Sequence, residues 1–367
     1  MTTESSSELA YLDKSIAIRQ IGEDKFESYF PAEKSGAWSL YAWGGSVLSQ
    51  CLNAAYHTTP SPSSGTSSHL YSVMGLFLGP TLADKTVQFE VQRLRDTRTF
   101  ATRQVIVWQV QAEGKAPRRI LQMTLDFFIG SGIMGKPHLA YEPEPLQQGL
   151  SHHSKLKLWA EQLDDAQNDK NNPFTVKARK LHRKLFTHIV DRMEMKIPLE
   201  GFDWERFDAY VLGGHEDLPD IDVTKKTYND WFRPWQALRL QKDVEDGSLP
   251  APAGILMPRT RQEAEACALM LRLDDILPAV PMMLGGKTFL QCSNFTSLDF
   301  ALRFHHQDAN TEAGQDNQWF LRQSTSAWAQ DGKSFNESKC WKEGRDGKLR
   351  LVATMSQTTT LVRAAKM

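Results

Sequence analysis

Apolar side chains return every three or four positions over residues 43 to 57, WGGSVLSQCLNAAYH, where Val47, Leu48, Cys51, Leu52 and Ala55 form one stripe. That spacing predicts a helix, because residues three and four apart share a helix face. Few of its remaining residues are large or charged, so the helix can be enclosed on most sides. A Ser/Pro/Gly-rich loop, TTPSPSSGTSS, interrupts the pattern. Beyond it the period drops to two: Val87, Phe89 and Val91 alternate with Gln88, Glu90 and Gln92. A charged turn at Arg95-Asp96-Thr97 leads into FATRQVIVWQV, whose β-branched and aromatic content predicts a second strand. After the turn AEGKAP, the run ILQMTLDFF sets Leu121, Met123, Leu125 and Phe127 on one face. A helix followed by long antiparallel strands predicts an α+β layout with the sheet wrapped around the helix.

The same order returns later in the chain. Residues 261 to 277, RQEAEACALMLRLDDIL, have helical spacing, with Ala264, Ala268, Leu271 and Leu273 on or beside one apolar face. Strands follow in SLDFALRF, WFLRQSTSAWA and SFNESKCWKE, and a turn at Arg345-Asp346-Gly347-Lys348 opens LRLVATMSQTTTLV. The turns EGKAPRR and EGRDGKLR fall at matching places, which predicts a duplication. The expected domains are residues 1–130 and 201–367. Residues 131–200 between them form a polar, partly helical linker or insertion centred on the basic run KARKLHRKLF.

The 367 residues carry 43 Lys and Arg against 44 Asp and Glu. A balance this even argues against a general binder of nucleic acid or anionic membrane, so any phosphate site must be local. Cys51, Cys267, Cys292 and Cys340 lie far apart with no C-x-x-C spacing, so neither a zinc site nor a disulfide framework is expected. His305 and His306 invite a metal reading, but neighbouring strand residues face opposite ways. No metal and no cofactor is expected. Serine-hydrolase elbows, H-E-x-x-H and P-loops are absent from the sequence. No apolar stretch is long enough to span a bilayer, and MTTESSSELAYLDK lacks the basic start and apolar run of a secretory signal. Ala365-Lys366-Met367 resembles a variant of the S-K-L address. The peroxisomal import receptor is therefore an expected partner and the peroxisome the expected location, with the cytoplasm otherwise.

Several runs resemble the acyl-CoA thioesterase II family. In the first half they are WGGSVLSQCLNAAYHTTP, HLYSVMGLFLGP and VQFEVQRLRDTRTFATRQVIV; in the second they are FTSLDFALRFHH and KLRLVATMSQTTTLVR. The resemblance implies two tandem hotdog domains, each a long helix wrapped by antiparallel sheet. It also implies hydrolysis of acyl-CoA by a water held between an Asp, a Ser or Thr, and a Gln. Position by position these fall on Ser297, Gln357 and the pair Asp274 and Asp275, with Asp275 the first choice because the match slips by a residue there. The sequence departs from the family at Tyr71-Ser72, where relatives carry a His, at Thr358-Thr359, where they carry an acidic residue and Gly, and at His306-Gln307, where they carry Arg-Pro.

These residue types suit the chemistry. Water needs a carboxylate to take its proton during attack, and neutral Ser and Gln side chains can orient it. Gly44 and Gly45 open the first helix and let a developing oxyanion approach backbone donors. For the phosphates of coenzyme A the densest cations are Lys177, Arg179, Lys180, Arg183 and Lys184, with Arg93 and Arg95 as rivals. The competing function is a hotdog hydratase or dehydratase, or a protein that binds a specialised acyl thioester without cleaving it. Hotdog hydratases open the central helix with an Asp and a His, and neither helix here does so.

Overall fold

A computed structural model describes residues 9–36, 39–61, 66–130, 138–146, 149–168, 176–200, 202–212, 218–305 and 318–363. His306 and Ala365-Lys366-Met367 lie outside these residues, as does part of the Ser/Pro/Gly-rich loop. Among the described residues no helix is long and apolar enough to cross a membrane.

The first stretch of chain runs α1 (Tyr11–Ile16), β1 (Ile18–Gly22), β2 (Lys25–Ser28), α2 (Gly44–His57), β3 (Ser68–Phe77), β4 (Gln88–Asp96), β5 (Phe100–Gln109) and β6 (Arg118–Ile129). The middle contributes α3 (Trp159–Asn168), α4 (Val176–Val190), β7 (Met193–Lys196), α5 (Trp204–Leu212), β8 (Tyr228–Pro234) and α6 (Gln241–Glu245). The last part holds α7 (Arg261–Ile276), α8 (Val280–Gly285), β9 (Cys292–Phe304), β10 (Phe320–Gln330), β11 (Lys333–Glu343) and β12 (Leu349–Arg363).

The chain divides into two compact units. The first comprises residues 1–140, 236–275 and 307–317, and the second residues 141–235, 276–306 and 318–367. By packing, α6 and α7 therefore group with the first sheet, although the sequence boundaries assign residues 236–275 to the second domain. Residues 141–200, expected as linker, are part of the second unit. They include β7, where Met193 and Met195 are buried and alternate with Glu194 and Lys196, and which pairs with β8.

In the first unit an antiparallel sheet runs β1-β2-β4-β5-β6-β3. Alternation decides its faces: Leu121, Met123, Leu125 and Phe127 of β6 are all buried, opposite Val107, Val105, Arg103 and Ala101 of β5. Helix α2 packs over β4 and β5, and every residue from Gly45 to Tyr56 is buried. A helix enclosed on all sides must satisfy its polar side chains internally. Ser46 Oγ and Asn53 Nδ2 do so by donating to the carbonyls of Ser15 and Ile16, at 3.0 and 3.1 Å.

The second unit repeats the order in its antiparallel strands, β7-β8-β10-β11-β12-β9. A fully buried ion pair between Arg322 of β10 and Asp230 of β8, with bonds of 2.9 and 3.0 Å, ties two of these strands together. Over the face of this sheet lie α8, against β10 and β11, and the tight turn Leu277–Ala279, against β9, β11 and β12.

Candidate active site

Within the first unit, α2 and α7 lie antiparallel and very close. Ser49 Oγ donates to the carbonyl of Cys267 at 2.7 Å, and Arg259 reaches Thr59 Oγ1 at 2.9 Å. At the other end, a Cβ added to Gly45 would sit 2.4 Å from the Leu271 carbonyl oxygen. Such a distance is impossible for any residue but glycine unless backbone moves. Gly45 thus has a structural reason to be glycine.

Gly44 has a different neighbour. A Cβ there would lie 2.7 Å from Asp274 Oδ2, so this glycine is what allows the carboxylate to approach the first turn of α2. The N-cap residue, Trp43, offers no side-chain capping bond, and the partial positive charge of a helix start favours an anion nearby. Asp274 is itself only 6% exposed. Asp275, the first choice on sequence, is taken up differently: it forms an ion pair with Arg272, and both side chains are fully buried. Adjacent helical residues point about 100° apart, so the two aspartates cannot share one environment.

Ser297 and Gln357 belong to the second unit, on the neighbouring strands β9 and β12. In an undistorted ladder Ser297 and Phe300 point to opposite faces of β9. Pairing, however, runs Gln357 to Phe300, Thr358 to Asp299 and Thr359 to Ser297, leaving Leu298 as an extra residue. That bulge turns Ser297 to the face of Gln357 and Thr359. Gln357 and Thr359 are fully buried there.

Of the expected phosphate ligands, the two on the first sheet already hold partners. Arg93 is held by Asp24 through two bonds of 2.7 and 2.8 Å, and Arg95 by Asp126 and Thr102 at 2.7 and 2.9 Å. Lys177, Arg179, Lys180, Arg183 and Lys184 all lie on α4, where Lys184 is exposed. His305 bonds Thr354 Oγ1 at 2.9 Å.

A metal reading attaches instead to His152, His153 and Glu343, whose ligand atoms lie within 4.8 Å of one another. Both Nε2 atoms contact the Glu343 carboxylate, at 2.5 and 2.7 Å. The Ser154 N–H donates to His152 Nδ1 at 3.2 Å, which puts the proton of that ring on Nε2. The trio is a hydrogen-bonded clasp between residues 152–153 and β11.

Sequence reading also passed over Ser326, Ser334, Asn336 and Ser338. They are buried on β10 and β11, in the rows that cross from Gln357 and its neighbours. The signal was present in SFNESK, where Phe335 takes the outward phase and is 37% exposed while Ser334 and Asn336 turn inward.

Comparison with known proteins adds the family. Residues 34–128 match the acyl-CoA thioesterase N-terminal domain and residues 206–361 the acyl-CoA thioesterase C-terminal domain. Among solved structures, an acyl-CoA thioesterase II, TesB2, from Mycobacterium marinum is 16% identical over 97% of this chain and 98% of its own, with a TM-score of 0.56. The tesB protein of Mycobacterium avium subspecies paratuberculosis is 15% identical over 95% and 97%, with a TM-score of 0.55. A conserved protein of unknown function with hot dog fold from Alicyclobacillus acidocaldarius is 13% identical over 98% and 100%, with a TM-score of 0.59. Comparison with curated proteins gives no match. With both family domains matched in order and the fold shared along nearly the whole chain, this protein belongs to the acyl-CoA thioesterases as an α+β double hotdog.

Proposed function

We propose that the chain hydrolyses acyl-CoA thioesters to the free acid and coenzyme A by direct attack of water, with Asp274 as general base. The observation that carries this reading is the carboxylate of Asp274 set against bare Gly44 at the start of a buried helix. A nearly buried carboxylate in that position can accept the proton of an attacking water. The same helix turn supplies N–H groups for the oxyanion that forms on the thioester carbonyl. Ser297 and Gln357, which share a face of β9 and β12, are neutral groups able to accept from and donate to a water. As the C–S bond breaks, the coenzyme A thiolate recovers the proton that the base removed.

Asp275 is then a structural residue whose charge answers Arg272. Thiol release over a panel of acyl-CoAs tests the reading. Asp274→Asn should lower kcat by about a hundredfold to ten-thousandfold and leave the melting temperature nearly unchanged. Asp275→Asn should instead destabilise the fold by about 3–5 kcal/mol, because it strands the buried Arg272 cation. If no acyl-CoA yields thiol, or if Asp274→Asn retains full activity, the assignment fails.

A further inference from the structure

Three residues lie in one row across the second sheet. Ser326 of β10 pairs with Asn336 of β11, which pairs with Gln357 of β12. Directly paired residues present their side chains on the same face, and here that face is the enclosed one: Ser326 is 1% exposed, and Asn336 and Gln357 are 0%. Beside this row Ser334 and Thr359 hold each other at 2.6 Å. Asn336 Nδ2 donates to both, at 3.1 and 3.3 Å. Asn336 Oδ1 and Ser326 Oγ have no hydrogen-bond partner among the described residues. Two buried polar atoms left over in neighbouring side chains are uncommon, since burial without a partner forfeits their hydration.

We infer that this row selects the acyl group, and that the preferred acyl group bears a hydroxyl in its outer part. The inference rests on the hydrolase reading, which puts the reacting carbonyl near Gln357. From there Asn336 and Ser326 lie one and two strand spacings away, about 5 and about 10 Å. A hydroxyl complements the pair in both senses: it donates to Asn336 Oδ1 and accepts from the Ser326 hydroxyl. A plain alkyl chain leaves both atoms unpaired, and a ketone answers only Ser326. Sites built to bond a substrate hydroxyl discriminate strongly against the analogue that lacks it.

The experiment compares decanoyl-CoA with decanoyl-CoAs hydroxylated along the outer half of the chain and with the matching ketones, by thiol release. The best hydroxyacyl-CoA should exceed decanoyl-CoA in kcat/KM by about tenfold or more. Asn336→Leu should bring that ratio to about one or below. Ser326→Ala, the milder change, should lower it about threefold to tenfold, and it decides the matter if Asn336→Leu does not fold. Decanoyl-CoA matching or beating every hydroxylated chain overturns the inference, as does a ratio that neither variant moves; either result means that the row holds only a buried water. Calorimetric binding of non-hydrolysable thioether analogues separates this from the reaction itself. If no thioester is cleaved yet the hydroxylated thioether binds tighter than the plain one, the hydrolase reading falls and the specificity row stands. Equal binding sinks the row.

Discussion

Counted from the glutamates that open their matching turns, Glu113 and Glu343, Phe127 of β6 and Gln357 of β12 occupy the same place in two sheets of identical strand order. Around Phe127 the enclosed face carries Leu125, Met123, Ala101 and Val105, all buried, and one cation, Arg103, whose guanidinium is taken up by Thr58 and Asp96. Around Gln357 it carries Asn336, Ser334, Ser338 and Thr359, all buried, beside the apolar Met355 and Phe300. The first face contributes stability through apolar burial, about 1.5–3 kcal/mol for each large side chain. The second forgoes much of that and spends its hydrogen-bonding capacity on hydroxyls and amides that satisfy one another only in part. One topology can thus serve as scaffold in one copy and as recognition surface in the other, because the face a residue occupies is set by register while its chemistry remains free to change.

The sharpest way to break this contrast is to exchange the two chemistries. Phe127→Gln puts an amide among hydrocarbon and removes the edge contact between Phe127 and Tyr56, whose ring centroids are 5.1 Å apart. Denaturant unfolding should show a loss of about 3–5 kcal/mol. The reciprocal Gln357→Met keeps size and shape, so stability should hold or rise slightly while kcat falls about a hundredfold. Comparable stability losses in both variants would show that the polar face is scaffold too.

Gly45→Ala sharpens the picture of the first unit. Alanine is the better helix former by about 1 kcal/mol, yet its Cβ would press on the Leu271 carbonyl. A net destabilisation of about 1–3 kcal/mol is expected in the same measurement. A stabilised variant would show that α2 and α7 can separate at no cost.

An effect of similar size is the pH dependence, to which both units contribute in the same direction. Burial lowers the imidazole of His57 in the first unit to about 4 and that of His182 in the second to about 3. Both are neutral in the folded protein through a range where the unfolded chain takes up protons, near its ordinary value of about 6.5. Their stabilising effect is complete above pH 6.5 and declines as pH falls, down to about 4 for His57 and about 3 for His182. His182→Phe, which keeps the ring stacked on Phe207 at 4.5 Å, should make the acid decline shallower by about 1–3 kcal/mol. An unchanged slope between pH 6.5 and 4 would assign the acid sensitivity to other groups.

Much of this was legible from periodicity. The helix α2 and the strands β4, β5 and β6 follow the apolar spacing, as do α7 and the strands from β9 to β12, each within a few residues. The short strands β1, β2, β7 and β8 escaped because four to seven residues carry too little alternation to stand out, and β8, YNDWFRP, is nearly all buried despite its polar residues. Of the candidate site, the residue types and their neighbourhoods were readable; which of Asp274 and Asp275 meets Gly44 was not. That choice depends on how α7 is rotated against α2, and rotation is set by the close fit of Gly45 on Leu271 and Ser49 on Cys267.

What the sequence by itself determined is therefore the local part: which segments are helix or strand, and that they come in two copies. These follow from side-chain spacing within a dozen residues. Tertiary structure alone decided that α7 groups with the first sheet and that Arg272 takes up Asp275. It also decided that a single extra residue, Leu298, turns Ser297 to the face of Gln357. Each of these joins residues distant in the chain or depends on one step of register, and no local pattern records a register.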